Sequence, residues 1–392
     1  MLSIGPWLLS GSLNLSTFYN SNIYSFPTNR LSGPGFDFQP NLLAELNNGI
    51  WNTRLYGSFD SDVYPTLNSQ NNTFNPKAGV VQTYSPLPDL TFTTEGDFAH
   101  STLAPAVINA LPNPVTSPAN PGPTGAAAVV ANQPVVLSPN DTFTALASVS
   151  KVFNRASLTI SSTLSKTEYE SSANQDYEVG SLNAGGGIWI SPWFYAFANA
   201  SDANTVPVVG QISNSYSARG GIGSDQIGLF QGSVYYGQQG SAVDGGGIAG
   251  GDIYGGVLSF FPSDSWTMSL SVDRVRNRSD ITGSNALGLG GLPLSGVPVL
   301  TSGSTQNTSI AYRSSYTLSP QTSIFLVLSD TQTAYLDMPL VNTTWLATTG
   351  INYQMWTDLS LSLTYSFTRY LSEQPMTSYT QNVVTLGGHY KF

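Results

Sequence analysis

The chain has 392 residues, a formal net charge of −10, no cysteine, and only 9 % charged residues beside 40 % hydrophobic ones. A soluble protein of this length usually carries roughly a quarter charged residues, so the scarcity implies that much of the outer surface faces something other than water. The same figures exclude disulfide and thiol chemistry, and the acidic balance argues against nucleic acid and against docking on an anionic surface.

No run of about 18 uncharged apolar residues is present, so no helix of this chain is expected to span a bilayer. A closed β-barrel is the other structure that satisfies every backbone group in hydrocarbon, and it needs only alternating hydrophobicity. The 20 Tyr, 18 Phe and 7 Trp with 38 Gly suit such a wall and its aromatic girdles. The opening stretch "MLSIGPWLLSGSLNLS" lacks a basic n-region and has too short an apolar run for a secretory signal, so a mature or trimmed form is expected.

In chain order, alternating segments occur at 7–20, 34–46, 50–63, 74–85, 89–101, 141–152, 155–168, 176–190 and 193–202. They continue at 211–223, 227–239, 251–261, 265–278, 304–318, 321–335, 342–355, 358–371 and 380–392. Successive strand side chains point to opposite faces, so each segment has a lipid side and a lumenal side. In "DLSLSLTYSFT", for example, Leu359, Leu361, Leu363, Tyr365 and Phe367 stand against Ser360, Ser362, Thr364, Ser366 and Thr368.

Connections of two kinds take turns along the chain. The short kind is "LNNGI" (46–50), "SPLPD" (85–89), "VFNR" (152–155), "SPW" (191–193), "GSDQ" (223–226), "PSDS" (262–265), "SPQ" (319–321) and "WTD" (356–358). Their Gly, Pro, Asn and Asp residues supply tight-turn geometry. The long kind includes 103–139, 241–250 and 281–303, of which 103–139 has eight prolines and no charge. The expected architecture is therefore all-β: one antiparallel, up-and-down transmembrane barrel over 1–392, with about eighteen strands. Sixteen remain if the pair around 193–223 is misread. Its termini lie at the tight-turn rim, with long extracellular loops near 103–139 and 281–303.

If Phe36, Phe38 and Leu42 face lipid, then Asp37 and Glu45 face the lumen; the same reasoning turns Arg54, Asp60, Glu95, Asp97, His389 and Lys391 inward. These eight are the candidate pore-lining residues, and their acidic excess predicts a mild preference for cations. A pairing of Arg54 with Glu45 across neighbouring strands is the simpler role for those two. Trp51, Trp189, Trp266, Trp356, Tyr390 and Phe392 are candidate anchors at the membrane interface.

Nothing in the sequence supplies a catalytic constellation, and no enzyme activity is expected. The histidines are His100 and His389 alone. Asp97 and His100, three apart on a strand, point to opposite faces, and neither G-x-S-x-G nor H-E-x-x-H occurs. The glycine clusters at 184–188, 219–225 and 244–252 lack the lysine and helix of a phosphate cradle. Asp60 and Asp62 in "FDSDVY" are too few ligands for calcium, so no metal and no cofactor is assigned.

The last strand, "NVVTLGGHYKF", places Phe392, Tyr390, Leu386 and Val384 on one face and looks like the signal by which bacterial outer-membrane barrels are recognised for assembly; Gly388 departs from it. The segments "STFYNSNIYSF", "GFDFQPNLLAELNNGIWNTRLYGSFDSDVYP" and "DLTFTTEGDFAHS" resemble the β-barrel porin 2 family of Gram-negative outer membranes. That resemblance implies an outer-membrane barrel in contact with lipid and lipopolysaccharide, delivered by the barrel assembly machinery through its C-terminal strand. By analogy with porins of this size, a homo-oligomer is a further expectation. Members of the family are described as porins or as barrels accompanying exopolysaccharide systems. The expected function is passive diffusion of small hydrophilic solutes, with exopolysaccharide export or a plugged interaction barrel as alternatives.

Overall fold

The computed structural model of the chain describes residues 2–23, 25, 27–28, 30–65, 72–102, 139–170, 176–208, 212–243, 248–279, 303–336, 340–373 and 377–392. The elements are β1 (Leu2–Ile4), β2 (Trp7–Asn20), β3 (Gly33–Asn47), β4 (Trp51–Val63), β5 (Asn75–Leu87), β6 (Leu90–Ser101), β7 (Asn140–Val152), β8 (Ala156–Tyr169), β9 (Tyr177–Trp189) and β10 (Phe194–Pro207). They continue as β11 (Ser213–Ile227), β12 (Phe230–Val243), β13 (Ile248–Ser263), β14 (Trp266–Ser279), β15 (Gly303–Ser319), β16 (Thr322–Tyr335), β17 (Leu340–Gln354), β18 (Leu359–Ser372) and β19 (Tyr379–Lys391). Strands β2 to β19 each pair antiparallel with their sequence neighbours, and β19 returns to pair with β2, so eighteen strands close a barrel. No helix of the described residues is long and apolar enough to cross a membrane.

Closure is made at both ends of the β2 and β19 seam. Val383 to Lys391 pairs with Asn20 to Ser12, and Phe392 exchanges two backbone hydrogen bonds with Gly11, at 3.0 and 2.9 Å. Below that point β1 takes over the same edge of β2, pairing Leu2 with Leu9 and Ile4 with Trp7. At the far rim a polar core holds the strands together. Gln381 donates to the Asn20 side chain at 3.1 Å and to the Asn22 carbonyl at 3.0 Å, and Asn20 and Asn22 are both fully buried.

Residues opposed in the ladder share a face, and this fixes the outward set. Phe36, Leu42, Leu55, Phe92, Leu164, Leu182, Ile222, Leu270, Leu363 and Leu386 are outward and exposed. Outward charges follow one rule among the described residues. Beyond Lys151 beside a tight turn, they begin eight residues into a strand, at Asp202 (194 to 202), Arg274 (266 to 274) and Asp330 (322 to 330). At about 3.3 Å per residue the charge-free belt runs roughly 26 Å along the strands, or about 20 Å in height at a strand tilt of about 40°, on the order of a bilayer-facing band.

An aromatic ring lying on a glycine directly opposite recurs around the wall. Phe392 lies on Gly11, Phe18 on Gly35, Tyr216 on Gly240 and Phe325 on Gly350. A Cβ on Gly350 would sit 2.6 Å from the Phe325 ring, so the glycine is what lets the ring lie down. The ring in turn covers backbone that would otherwise lack packing.

Several expectations change in detail. The turn placed at "GSDQ" (223–226) is instead strand: a register shift between Ser224 and Ile227 absorbs the polar residues, and Gly228, at φ +61°, makes the turn. The connection expected over 241–250 is shorter, because β12 runs to Val243 and β13 starts at Ile248. Strand β10 extends to Pro207 rather than 202, and β1 was not foreseen. The expected loops at 103–139 and 281–303 lie outside the described residues except at their last positions.

Two predictions follow from the rims. Gly11→Val drives a side chain into the Phe392 ring, 2.5 Å from where its Cβ falls, and into the Asn41 carbonyl at 3.1 Å. Overpacking of this kind costs about 1–3 kcal/mol, so the variant should lose its heat-resistant folded band at a lower temperature on semi-native gels. An unchanged midpoint would remove Phe392 from the closure. At the tight-turn rim, the hydrogen bond from Lys151 holds the exposed Asp89 carboxyl below its ordinary pKa. A depressed pKa contributes stability above the unfolded value that disappears as pH falls through the folded one. Asp89→Asn should therefore lower the melting midpoint slightly near neutral pH and leave it unchanged in acid below the carboxyl's titration range.

Candidate functional site: an acidic lumenal wall

Ladder register places all eight candidate pore-lining residues on the inward face. Along β3 and β4 the directly opposed inward pairs include Glu45 with Arg54, Leu43 with Tyr56, Asn41 with Ser58 and Asp37 with Asp62. Across β5 and β6 they continue as Lys77 with Ser58, Gly79 with Tyr56 and Asp97, and Val81 with Glu95. His389 and Lys391 stand opposite Asn14 and Ser12, which face Gln39 and Asn41 in turn. The alternation that buries apolar side chains toward lipid thus delivers these polar ones to one lumenal surface.

Near the far rim the Asp37, Asp60 and Asp62 carboxylates converge, with one oxygen of each within 4.8 Å of the others. Gln39 donates to Asp37 at 3.0 Å and Ser16 at 3.3 Å. Among the described residues none of the three forms an ion pair. Asp37 thus joins the Asp60 and Asp62 pair read from the sequence, and the three carboxylates carry oxygen ligands of the kind a hard cation takes. The polar chain continues across the seam, from Gln39 through Asn14 at 3.4 Å to the His389 ring.

Lower on the same wall the charges are matched. Arg54 Nε lies 3.5 Å from Glu45, which also accepts from Asn52 at 2.6 Å, so the simpler role expected for this pair is the one seen. Lys77 Nζ lies 3.6 Å from Asp97 and 5.7 Å above the Tyr56 ring, and Tyr56 donates its hydroxyl to Glu95 at 2.9 Å. Such exposed pairs fix geometry more than they add stability.

Sequence reasoning left out Lys77 and Asp62 from the lumenal set, although Lys77 alternates with Pro76 and Ala78 in a way that would have placed it. It also left out the opposing wall. There the Arg219 guanidinium stacks 4.9 Å from the Tyr235 ring, whose hydroxyl donates to Asp273, and Arg313 faces inward on β15. Of the proposed anchors, Trp51, Trp266 and Tyr390 lie on the outward face, Phe392 covers outward Gly11, and Trp356 lies in a tight turn. Trp189 is a correction: it pairs with Tyr195 on the lumenal face, ring centroids 5.1 Å apart, because it is one position off the outward row that holds Ile188. His100 bonds Asp141 on the outward face, away from Asp97, so Asp97 and His100 do not pair.

No protein-family profile matches the sequence, and no curated protein matches it. Solved structures do. OpdK of Pseudomonas aeruginosa, in a structure with vanillate, superposes with a TM-score of 0.53 at 12 % identity, over 98 % of this chain and 99 % of that one. OpdQ of the same organism gives 0.52 at 10 % identity over 98 % and 97 %, and OpdL gives 0.51 at 12 % over 98 % and 98 %. At such identities the likeness is one of fold. Together with the charge-free belt it defines the class: a closed antiparallel transmembrane β-barrel with the fold of these outer-membrane proteins. Within that class the chain folds like the OpdK, OpdL and OpdQ barrels and carries a lumenal wall of its own.

Asp37 and Asp62 stand directly opposite each other, and like charges so placed repel. Asp62→Asn should therefore raise the unfolding temperature of the detergent-solubilised barrel at neutral pH, by an amount corresponding to roughly 0.2–1 kcal/mol. A lowered midpoint would mean that the carboxylates hold the wall together instead.

Proposed function

We propose that the barrel is an outer-membrane channel through which small hydrophilic solutes diffuse, and that its lumen prefers cations. The observation that carries this reading is the inward charge. Among the described residues the carboxylates of Asp37, Glu45, Asp60, Asp62, Glu95, Asp97 and Asp273 face the lumen beside the basic groups of Arg54, Lys77, Arg219, Arg313 and Lys391. The excess is concentrated where Asp37, Asp60 and Asp62 meet. Fixed charge lining a low-dielectric passage concentrates counter-ions and sets ion preference. OpdK has been seen with vanillate, an aromatic carboxylate; unpaired carboxylates on the wall disfavour such an anion here.

The test is reconstitution of the full chain in planar bilayers under a potassium chloride gradient. Steady conductance with a reversal potential on the cation side is expected. The triple variant Asp37→Asn, Asp60→Asn, Asp62→Asn should move that potential toward the unselective value while leaving conductance in place. A reversal potential on the anion side, or one the triple variant does not move, would overturn the preference. An intact chain that passes no current would point to the exporter or the plugged barrel.

A further inference from the structure

A tyrosine held by a glycine, an acid and a cation occurs twice in the lumen, with the acid and cation placed differently in the two. On one wall Tyr56 of β4 lies across Gly79 of β5, reaches Glu95 of β6 with its hydroxyl, and carries Lys77 over its ring. On the other wall Tyr235 of β12 lies across Gly255 of β13, reaches Asp273 of β14, and carries Arg219 over its ring. In both cases tyrosine and glycine are direct ladder partners. Strands β4 and β12 are eight steps apart one way around the barrel and ten the other, so the two devices face each other. Each tyrosine also sits five residues in from a tight turn (51 to 56 and 230 to 235), which puts them at similar depth.

The glycines decide how the rings lie. A Cβ on Gly79 would fall 2.5 Å from the Tyr56 hydroxyl and 2.6 Å from its Cζ; one on Gly255 would fall 2.7 Å from the Tyr235 hydroxyl. With any other residue there, the ring must leave the wall, and the open direction is the lumen. The acid and the cation then hold the flattened ring from its tip and from above.

We propose that Tyr56 on Gly79 and Tyr235 on Gly255 are a pair of opposed latches that set the bore of the channel, and hence the size of solute admitted. This rests on the channel reading above. The latches keep two large aromatic side chains flat, and each rests on the bare backbone of a glycine directly opposite its tyrosine. Selection by size then lies with the latches, and selection by charge with the carboxylates nearer the far rim.

The experiment compares the intact chain with Gly79→Ala, Tyr56→Ala and the double variant in planar bilayers. Gly79→Ala should lower single-channel conductance by about twofold, since the radius at the narrowest lining governs passage. Tyr56→Ala should raise conductance, and the double variant should match Tyr56→Ala. The added methyl also falls 2.8 Å from Asp97 Cβ, so a loss that persists in the double variant would assign the effect to wall distortion and overturn the proposal. Unchanged conductance in Gly79→Ala would overturn it as well. If the intact chain carries no current, the channel reading fails on its own, and the latch is read by thiol labelling. The chain has no cysteine, and Ser58→Cys places one on the lumenal face beside Lys77. Slower reaction with a bulky thiol reagent in the Gly79→Ala background, restored by Tyr56→Ala, would uphold the latch; equal rates would sink it.

Discussion

Hydrocarbon offers a backbone amide no partner other than another backbone group, so every strand of this chain needs a neighbour on each side. Eighteen strands in a row meet that demand everywhere except at the first and last. The pairing of β19 with β2 removes the exception, and the double hydrogen bond between Phe392 and Gly11 extends it to the final residue. Where β19 runs out, β1 folds back to occupy the remaining edge of β2. Lumen, belt and charge pattern all presuppose that ring.

Once the ring closes, a period of two does the rest. One parity of each strand meets lipid and the other meets the lumen, so a chain with few charges can spend almost all of them inside or beyond the belt. Outward, among the described residues, only Lys151 lies near the tight turns, and Asp202, Arg274 and Asp330 mark the upper limit. Inward, the carboxylates of β3, β4 and β6 share one surface because ladder register brings Asp37 to Asp62, and Tyr56 to Gly79 and so to Asp97.

What could be read without coordinates was whatever depends on period and turn chemistry. All eighteen wall strands were placed, and the "LNNGI" turn is made as its residues suggest, with Gly49 at φ +89° and the Asn48 side chain accepting from the Trp51 amide at 2.8 Å. What escaped depends on register between strands. The shift after Ser224 moved a turn by several residues, and Trp189 was assigned to the girdle because a tryptophan near a strand end looks the same from either face. That Arg219 would stack on Tyr235, or that Gly79 would lie under Tyr56, cannot be seen until one strand is set against the next. Lys77 is a different case, since its parity between Pro76 and Ala78 is legible in the sequence.

The polar chain from His389 through Asn14 and Gln39 to Asp37 crosses the seam where the first and last wall strands meet. Three members of that chain come from the beginning of the sequence and one, His389, from its end. An unclosed sheet would therefore lack a continuous lining as well as a sealed wall. Its lumenal electrostatics would be different in kind, not a diluted copy of the finished ones. Closure of the wall and completion of its lumenal lining are, for this molecule, made by the same strand pairing.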